Sequence, residues 1–206
     1  VSALPALSVD AAGPRVLSVS ANAKRNTQSV VTITSETGTG SGVIIDAQGL
    51  IVTNLHVIRG ATSLAVRLAN GDTYGDVVVA EVDALKDIAL IKIKAFGLVP
   101  VQLGNSERIK VGDHVTVIGS PRGLDRTVTD GVLSAIRDSG EGYKLLQTSA
   151  AISPGSSGGG MFDDSGALVG LVTSKLMNGE NINFALPINY VRGLLPAQGR
   201  MPLDEF

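Results

Sequence analysis

Ser157 lies in the run Pro154-Gly155-Ser156-Ser157-Gly158-Gly159-Gly160, and the two histidines, His56 and His114, both lie upstream of it. A serine hydroxyl is a weak nucleophile, so hydrolytic chemistry needs a base to take its proton and donors to hold the oxyanion. Glycines around such a serine let the backbone turn sharply and approach a bound molecule closely. His56 sits in Thr53-Asn54-Leu55-His56-Val57-Ile58, at the end of an apolar run, and Asp87 opens another, Asp87-Ile88-Ala89-Leu90-Ile91. In chain order the set is His, Asp, Ser: a base, an acid to orient it and an alcohol to attack with.

The elements that must bring these residues together read as a turn-rich β framework. Glycine makes up 25 of 206 residues, about 12% against a typical ~7%. Hydrophobic residues are 44% and charged residues 17%, the balance of a globular chain with a sizeable core. Aromatics are only 3%, so the core rests on Val, Ile, Leu and Ala. A net charge of -2 gives no electrostatic case for nucleic acid or an anionic membrane. With no cysteine there is neither a disulfide nor a thiolate nucleophile or ligand. The chain begins at Val1 without a basic or apolar leader, so an export signal is expected to be absent or already removed. No apolar run reaches the ~20 residues that a membrane-spanning helix needs.

Residues 1–24 read as an N-terminal arm with room for one short helix. Strands are expected at Val30–Thr34, Gly40–Ile45, Leu50–Thr53, Ser63–Leu68, Asp76–Asp83 and Ile88–Lys92, with turns at Asp46–Gly49 and Asn70–Asp72. Leu103–Glu107 reads as a connector. A second set of strands fits His114–Gly119, Arg126–Ile136, Tyr143–Thr148, Ala167–Ser174 and Asn181–Ala185. Pro187 starts a short helix through Leu195, and Pro196 stops it. The division expected is an arm (1–24), a first β-barrel with His56 and Asp87 (25–102), a second with Ser157 (103–195), and a tail (196–206).

Other readings of the same residues are weaker. The glycine run as a linker conflicts with its place between two β-like runs. Gly155-x-Ser157-x-Gly159 matches a nucleophile elbow, but that fold places its histidine after the serine, and none follows His114. A subtilisin-like order would need Asp46 before His56 on a helix-rich pattern the chain lacks. His114 sits in a strand pattern, Asp113-His114-Val115-Thr116-Val117, and reads as structural. Asp76 and Asp83 are rivals to Asp87 as the acid. Gly38-Thr39-Gly40-Ser41-Gly42 reads as a β-turn rather than a phosphate loop, since it lacks the required glycine spacing. Scattered carboxylates give no metal-ligand cluster.

The chain resembles trypsin-like serine proteases, and specifically the protease domain of the HtrA (high-temperature-requirement) family. The similar stretches are Gly40–Ile45, Ile51–Ile58, Asp87–Ile93, Val111–Gly123, Thr127–Ile136, Leu146–Gly160 and Ile182–Pro187, in family order over about residues 29–195. The resemblance implies an all-β fold of two six-stranded antiparallel barrels with the site between them, followed by a short helix. It implies His56 as general base, Asp87 as the acid that orients it, Ser157 as nucleophile, and the N–H groups of Gly155 and Ser157 as the oxyanion hole. It implies no metal or cofactor, polypeptide substrates, a homotrimer, and protein quality control in a periplasmic, secreted or organellar setting. Three departures stand out. Ser156 replaces the family's usual Asn and carries no charge to pair with a freed N-terminus. Gly160 replaces a proline, and no aromatic precedes Tyr74 where family trimers pack N-terminal aromatics.

By motif, the substrate side falls on Ala150, Ala151 and Ile152, then Thr173, Ser174 and Lys175, then Asn183, Phe184 and Ala185. Ala151 occupies the place of the acid that selects Arg or Lys, and a methyl group cannot pair with a cation. Small or medium aliphatic residues such as Val, Ala or Leu are therefore expected before the scissile bond, with Lys175 near the rim favouring an acidic group. The peptide should dock as an added strand along Thr173–Lys175. The reading is a serine endopeptidase acting on unfolded or exposed segments. The alternatives are a non-catalytic peptide-binding module on the same fold and a processing protease of narrow specificity.

Overall fold

The structure, a computed structural model, describes residues 16–120, 126–173 and 183–195. Helix α1 (Val19–Asn26) is capped by Ser18, whose side chain accepts from the Ala21 amide, and a 3-10 turn (Thr27–Ser29) leads into the first strand. Strands β1 (Val30–Ser35), β2 (Gly38–Ile44), β3 (Leu50–Asn54), β4 (Leu64–Arg67), β5 (Thr73–Tyr74), β6 (Val77–Asp83) and β7 (Ile88–Ile93) form one seven-stranded sheet, ordered β5-β4-β1-β2-β3-β7-β6. A single-turn helix α2 (Leu55–Ile58) follows β3. The second half holds β8 (His114–Gly119), β9 (Thr127–Asp138), β10 (Lys144–Thr148), β11 (Gly160–Phe162), β12 (Leu168–Thr173) and β13 (Asn183–Pro187), closed into a barrel in the order β10-β13-β12-β11-β8-β9. Helix α3 (Ile188–Leu194) ends the described chain.

The central strands β3 and β7 look continuously apolar in sequence because both of their faces are buried, whereas the edge strand β6 is largely exposed. Ile51 stands opposite Ile44 and Ile91, and these fill the core of the first half with Val31 and Ile33. One residue on, Val52 stands opposite Val43 and Leu90. That row faces the other way and packs with Ile118, Phe162, Leu171 and Leu186 of the second half. A period of two thus builds the sheet's own core on one side and the junction between halves on the other. A third cluster, including Val115, Leu133, Leu146, Met161 and Val172, fills the closed barrel.

The all-β class agrees with the sequence reading, but the two halves expected as six-stranded barrels differ in closure. The second is a closed six-stranded barrel, whereas the first is a seven-stranded ladder with edges at β5 and β6. Gly38–Gly42 is a correction: these residues lie in strand β2, and the turn is Glu36–Thr37. Gly40 serves close packing, since a Cβ there would come within 2.5 Å of the Val57 side chain. The arm does contain a helix, and it docks by polar side chains. Leu17 N–H donates to Asp164 O at 2.7 Å, while Asn22 Nδ2 donates to Asp163 O and Asn26 Nδ2 to Gly166 O. Elements β5, α2 and β11 lacked a sequence signal, being two, four and three residues long.

Candidate active site

Strand pairing puts the end of β3 beside the start of β7, with Asn54 opposite Ile88. The chain then turns into α2, which carries His56, while Asp87 closes the turn that leads into β7. Asp87 is buried, and its φ of 57° places it in the left-handed region that non-glycine residues seldom occupy. Its carbonyl accepts from Leu55 N at 3.0 Å and from Asn54 Nδ2 at 3.1 Å. Its carboxylate accepts the His56 backbone N–H through Oδ1 at 2.9 Å and meets His56 Nδ1 through Oδ2 at 2.5 Å. The ring is therefore fixed at one nitrogen and leaves the other available for exchange with a partner.

The rival acids are engaged elsewhere. Asp83 accepts from Lys86 N at 2.9 Å and from Lys86 Nζ at 2.7 Å. Burial works against its charged form, yet these Lys86 contacts hold its carboxyl below the usual range. Lys86 Nζ also lies 5.4 Å from the centre of the Tyr190 ring on α3. Asp76 is a surface residue 3.7 Å from Lys94.

Ser157 sits on a compact turn ahead of β11. Within it, Ser156 N–H donates to Ser153 O and Gly159 N–H to Ser156 O, at 2.9 and 2.8 Å. The turn is also gripped from the first half by Ser41 on β2. Ser41 N–H donates to Ser157 O at 2.8 Å, and Ser41 Oγ donates to Gly155 O at 2.7 Å. Ser41 is itself held, its carbonyl by Thr53 Oγ1 at 2.7 Å and its hydroxyl by Ser120 N–H at 2.8 Å. Gly158 has φ of 83°, and a Cβ there would lie 2.1 Å from Ser41 O. Ser41 stood in the sequence only as part of a motif. A small polar residue between two glycines, just ahead of the apolar run Val43–Ile45, was the available sign of its role.

His56 and Ser157 open onto one cavity of about 250 Å³, lined also by Thr37, Gly38, Thr39, Val57, Pro154 and Gly155. The two departures beside the serine have local explanations. Ser156 is buried against Gly119, where a Cβ would come within 3.1 Å of it. Gly160 leaves room for Phe162, since a Cβ there would reach 2.6 Å from that ring.

Among the residues expected on the substrate side, Asn183 Nδ2 donates to Ala150 O at 2.9 Å, and Thr173 pairs with Phe184 in the β12–β13 ladder. These contacts gather Ala150–Ile152, Thr173 and Asn183–Ala185 at one end of the barrel. Ala151 is exposed, with its carbonyl accepting from Thr129 Oγ1 at 2.7 Å. Phe184 is half-buried, whereas Ile152 and Ala185 belong to the barrel core. Ser174 and Lys175 lie outside the described residues. His114 bridges Asp164 through Nδ1 at 2.9 Å and Asp130 through Nε2 at 3.1 Å. Among the described residues no group of three or more His, Asp or Glu side chains could hold a metal ion.

Comparison with known proteins gives the family. Residues 40–171 match the family described as trypsin-like peptidase domain. The periplasmic serine endoprotease DegP of Escherichia coli is 43% identical over 164 residues, covering 75% of this chain and 34% of that protein. The chloroplastic protease Do-like 1 of Arabidopsis thaliana is 42% identical over 170 residues, covering 77% of this chain and 38% of that protein. The chain thus spans little more than a third of the length of these curated relatives. Among solved structures, the HtrA-type protease AlgW with tripeptide superposes with a TM-score of 0.78 at 34% identity, covering 85% of this chain and 62% of that one. With the His–Asp pair, the serine turn and the two β halves in place, the chain belongs to the trypsin-like peptidases, and within them to the HtrA-family serine protease domains.

Proposed function

We propose that this chain is a serine endopeptidase domain that cleaves exposed or unfolded polypeptide through an acyl-enzyme on Ser157. The observation that carries the reading is the His56–Asp87 pair. A buried carboxylate holds Nδ1 at 2.5 Å and the His56 backbone N–H at 2.9 Å, on a ring that shares its cavity with Ser157. His56 Nε2 takes the Ser157 proton as Oγ attacks the scissile carbonyl, and returns it to the departing amine. Water then enters and gives a proton to Nε2 as its oxygen attacks the acyl carbonyl, and Nε2 returns that proton to Ser157 Oγ as the ester C–O bond breaks and the acid leaves. Asp87 keeps the imidazole in the tautomer that accepts at Nε2 and stabilises the imidazolium.

The oxyanion is assigned to the N–H groups of Gly155 and Ser157. The Ser156 carbonyl is taken by Gly159 N–H, and in a trans peptide the N–H of the next residue points the opposite way. That geometry supports a Ser157 N–H aimed away from its own turn and toward the cleft. Ala151, Thr173, Asn183 and Phe184 are assigned to the acyl side of the substrate, with small or medium aliphatic side chains preferred. The periplasmic and chloroplastic relatives support a site of action outside the cytoplasm or within an organelle.

A fluorophosphonate probe located by mass spectrometry tests the nucleophile, with modification expected at Ser157 and absent in Ser157→Ala. Casein digestion by the parent and not by the variant supports the endopeptidase. Equal, lasting inactivity of both supports a peptide-binding module.

A further inference from the structure

The hairpin joining β1 and β2 forms one wall of the cavity that His56 and Ser157 share, through Thr37, Gly38 and Thr39. This wall is exposed and has no core of its own, yet it is tied to the His56 segment at both ends. At its root, Gly40 lies against Val57, the neighbour of His56 in α2. At its tip stands Glu36. Its Oε1 accepts from Thr62 N–H at 2.5 Å and from Thr62 Oγ1 at 2.6 Å, and its Oε2 accepts from Ser63 Oγ at 3.3 Å. Next to it, Ser35 Oγ accepts from Thr37 N–H at 3.2 Å and lies 2.9 Å from Thr37 Oγ1, so the tip is also closed within itself. Thr62 and Ser63 belong to the link between α2 and β4. Glu36 thus spans from the hairpin to the segment that continues from the proposed base.

The side of the cleft follows from the chemistry. A base that later protonates the departing amine must stand beside that amine. The wall that shares a cavity with His56 is therefore beside the leaving segment, while Ala151, Thr173 and Asn183 gather elsewhere, at the end of the closed barrel. We propose that Glu36 is a positioning residue, which pins the β1–β2 hairpin as the leaving-group wall and so sets binding of the substrate residues just beyond the scissile bond. This inference rests on the protease reading above. The hydrogen bonds to Thr62 hold the Glu36 carboxyl down to about 2. The carboxylate is therefore charged at any pH at which the enzyme would be assayed. Preorganising a wall in this way cuts the ordering cost of binding rather than adding a contact.

The test compares parent, Glu36→Ala and Glu36→Gln on two substrates. One is a peptide whose scissile carbonyl carries a fluorogenic amine and nothing beyond it. The other is an internally quenched peptide with four residues beyond the bond. Glu36→Ala is expected to lower kcat/KM on the longer peptide at least fivefold, mainly through KM, and to change the short one by less than twofold. Glu36→Gln keeps an acceptor for Thr62 and should recover at least half of that loss. An equal fall on both substrates, or no fall on either, overturns the proposal. Probe labelling of Ser157 needs no leaving segment and should proceed at the parental rate in both variants. Absence of labelling in the parent sinks the protease reading itself, whereas normal labelling without the substrate split sinks only the role of Glu36.

Discussion

His56 and Asp87 are locked together inside one half of the molecule, while Ser157 is held by its own turn and by a residue of the other half. The His–Asp pair needs only β3, α2 and the turn before β7, and the Asp87 backbone and side chain take four contacts from Asn54, Leu55 and His56. The serine turn depends on Ser41, whose amide and hydroxyl reach across to the Ser157 and Gly155 carbonyls. With the roles proposed above, proton handling belongs to one sheet, whereas the position of the attacking oxygen belongs to the junction between halves. Damage to the first should change the chemistry at constant fold. Damage to the second should change stability and chemistry together.

The largest effect is expected from Ser157→Ala. It should lower kcat by about 10^5- to 10^6-fold and leave the melting temperature near that of the parent, as measured by casein turnover and calorimetry. Asp87→Asn should follow, at about 10^4-fold in kcat, because the amide faces Nδ1 with a donor and forces the wrong tautomer. The downfield Nδ1 proton resonance of His56 should vanish in that variant while probe labelling of Ser157 slows. Gly158→Ala should cost about 3 kcal/mol or more, since φ of 83° and a 2.1 Å approach to Ser41 O leave no room for a methyl group. For a chain of this size that is a fall of roughly 6–12 °C in melting temperature.

Ser41→Ala sharpens the contrast further. It leaves the Gly155 carbonyl and the Ser120 amide without their hydroxyl partner, at a cost of about 1–3 kcal/mol. It should slow turnover roughly tenfold through a looser turn, with the Nδ1 resonance unchanged. The smallest effect belongs to His114. Its hydrogen bond to Asp130 and then that to Asp164 raise its pKa, against a desolvation that lowers it. A raised value in the folded state means that the stabilisation is full below the unfolded pKa of about 6.5 and is lost as pH rises through the folded one. His114→Ala should therefore lower the melting temperature by about 1–2 °C near pH 5.5 and by nothing measurable above pH 9.

Much of this was legible from residue types. Strands such as β1, β7 and β8 carry β-branched or aliphatic runs with turn residues at their ends, and local preference agrees with their final environment. The His56–Asp87–Ser157 set was legible as order and context. Its geometry was not, because the convergence depends on strand pairing, as in Asn54 opposite Ile88. The glycines of β2, which read both as the start of a strand and as a turn, show where local reasoning stops. Glycine usually signals a turn, and at Gly40 the true cause is the Val57 side chain, 17 residues away in sequence, against which the strand must lie flat. Glu36 gave no signal at all, since an acidic residue on a hairpin tip looks like ordinary surface until Thr62 is seen beside it.

The positive φ of Asp87 narrows the range of residues that evolution or a designer can place there. Alanine, glutamate and most others resist that backbone shape, leaving glycine, asparagine and aspartate as the tolerant set. Only one of those three bears a negative charge. Selection for conformation and selection for proton chemistry therefore converge on a single amino acid, and a randomised library at this codon, screened for folding alone and then for turnover, should shrink from three survivors to one.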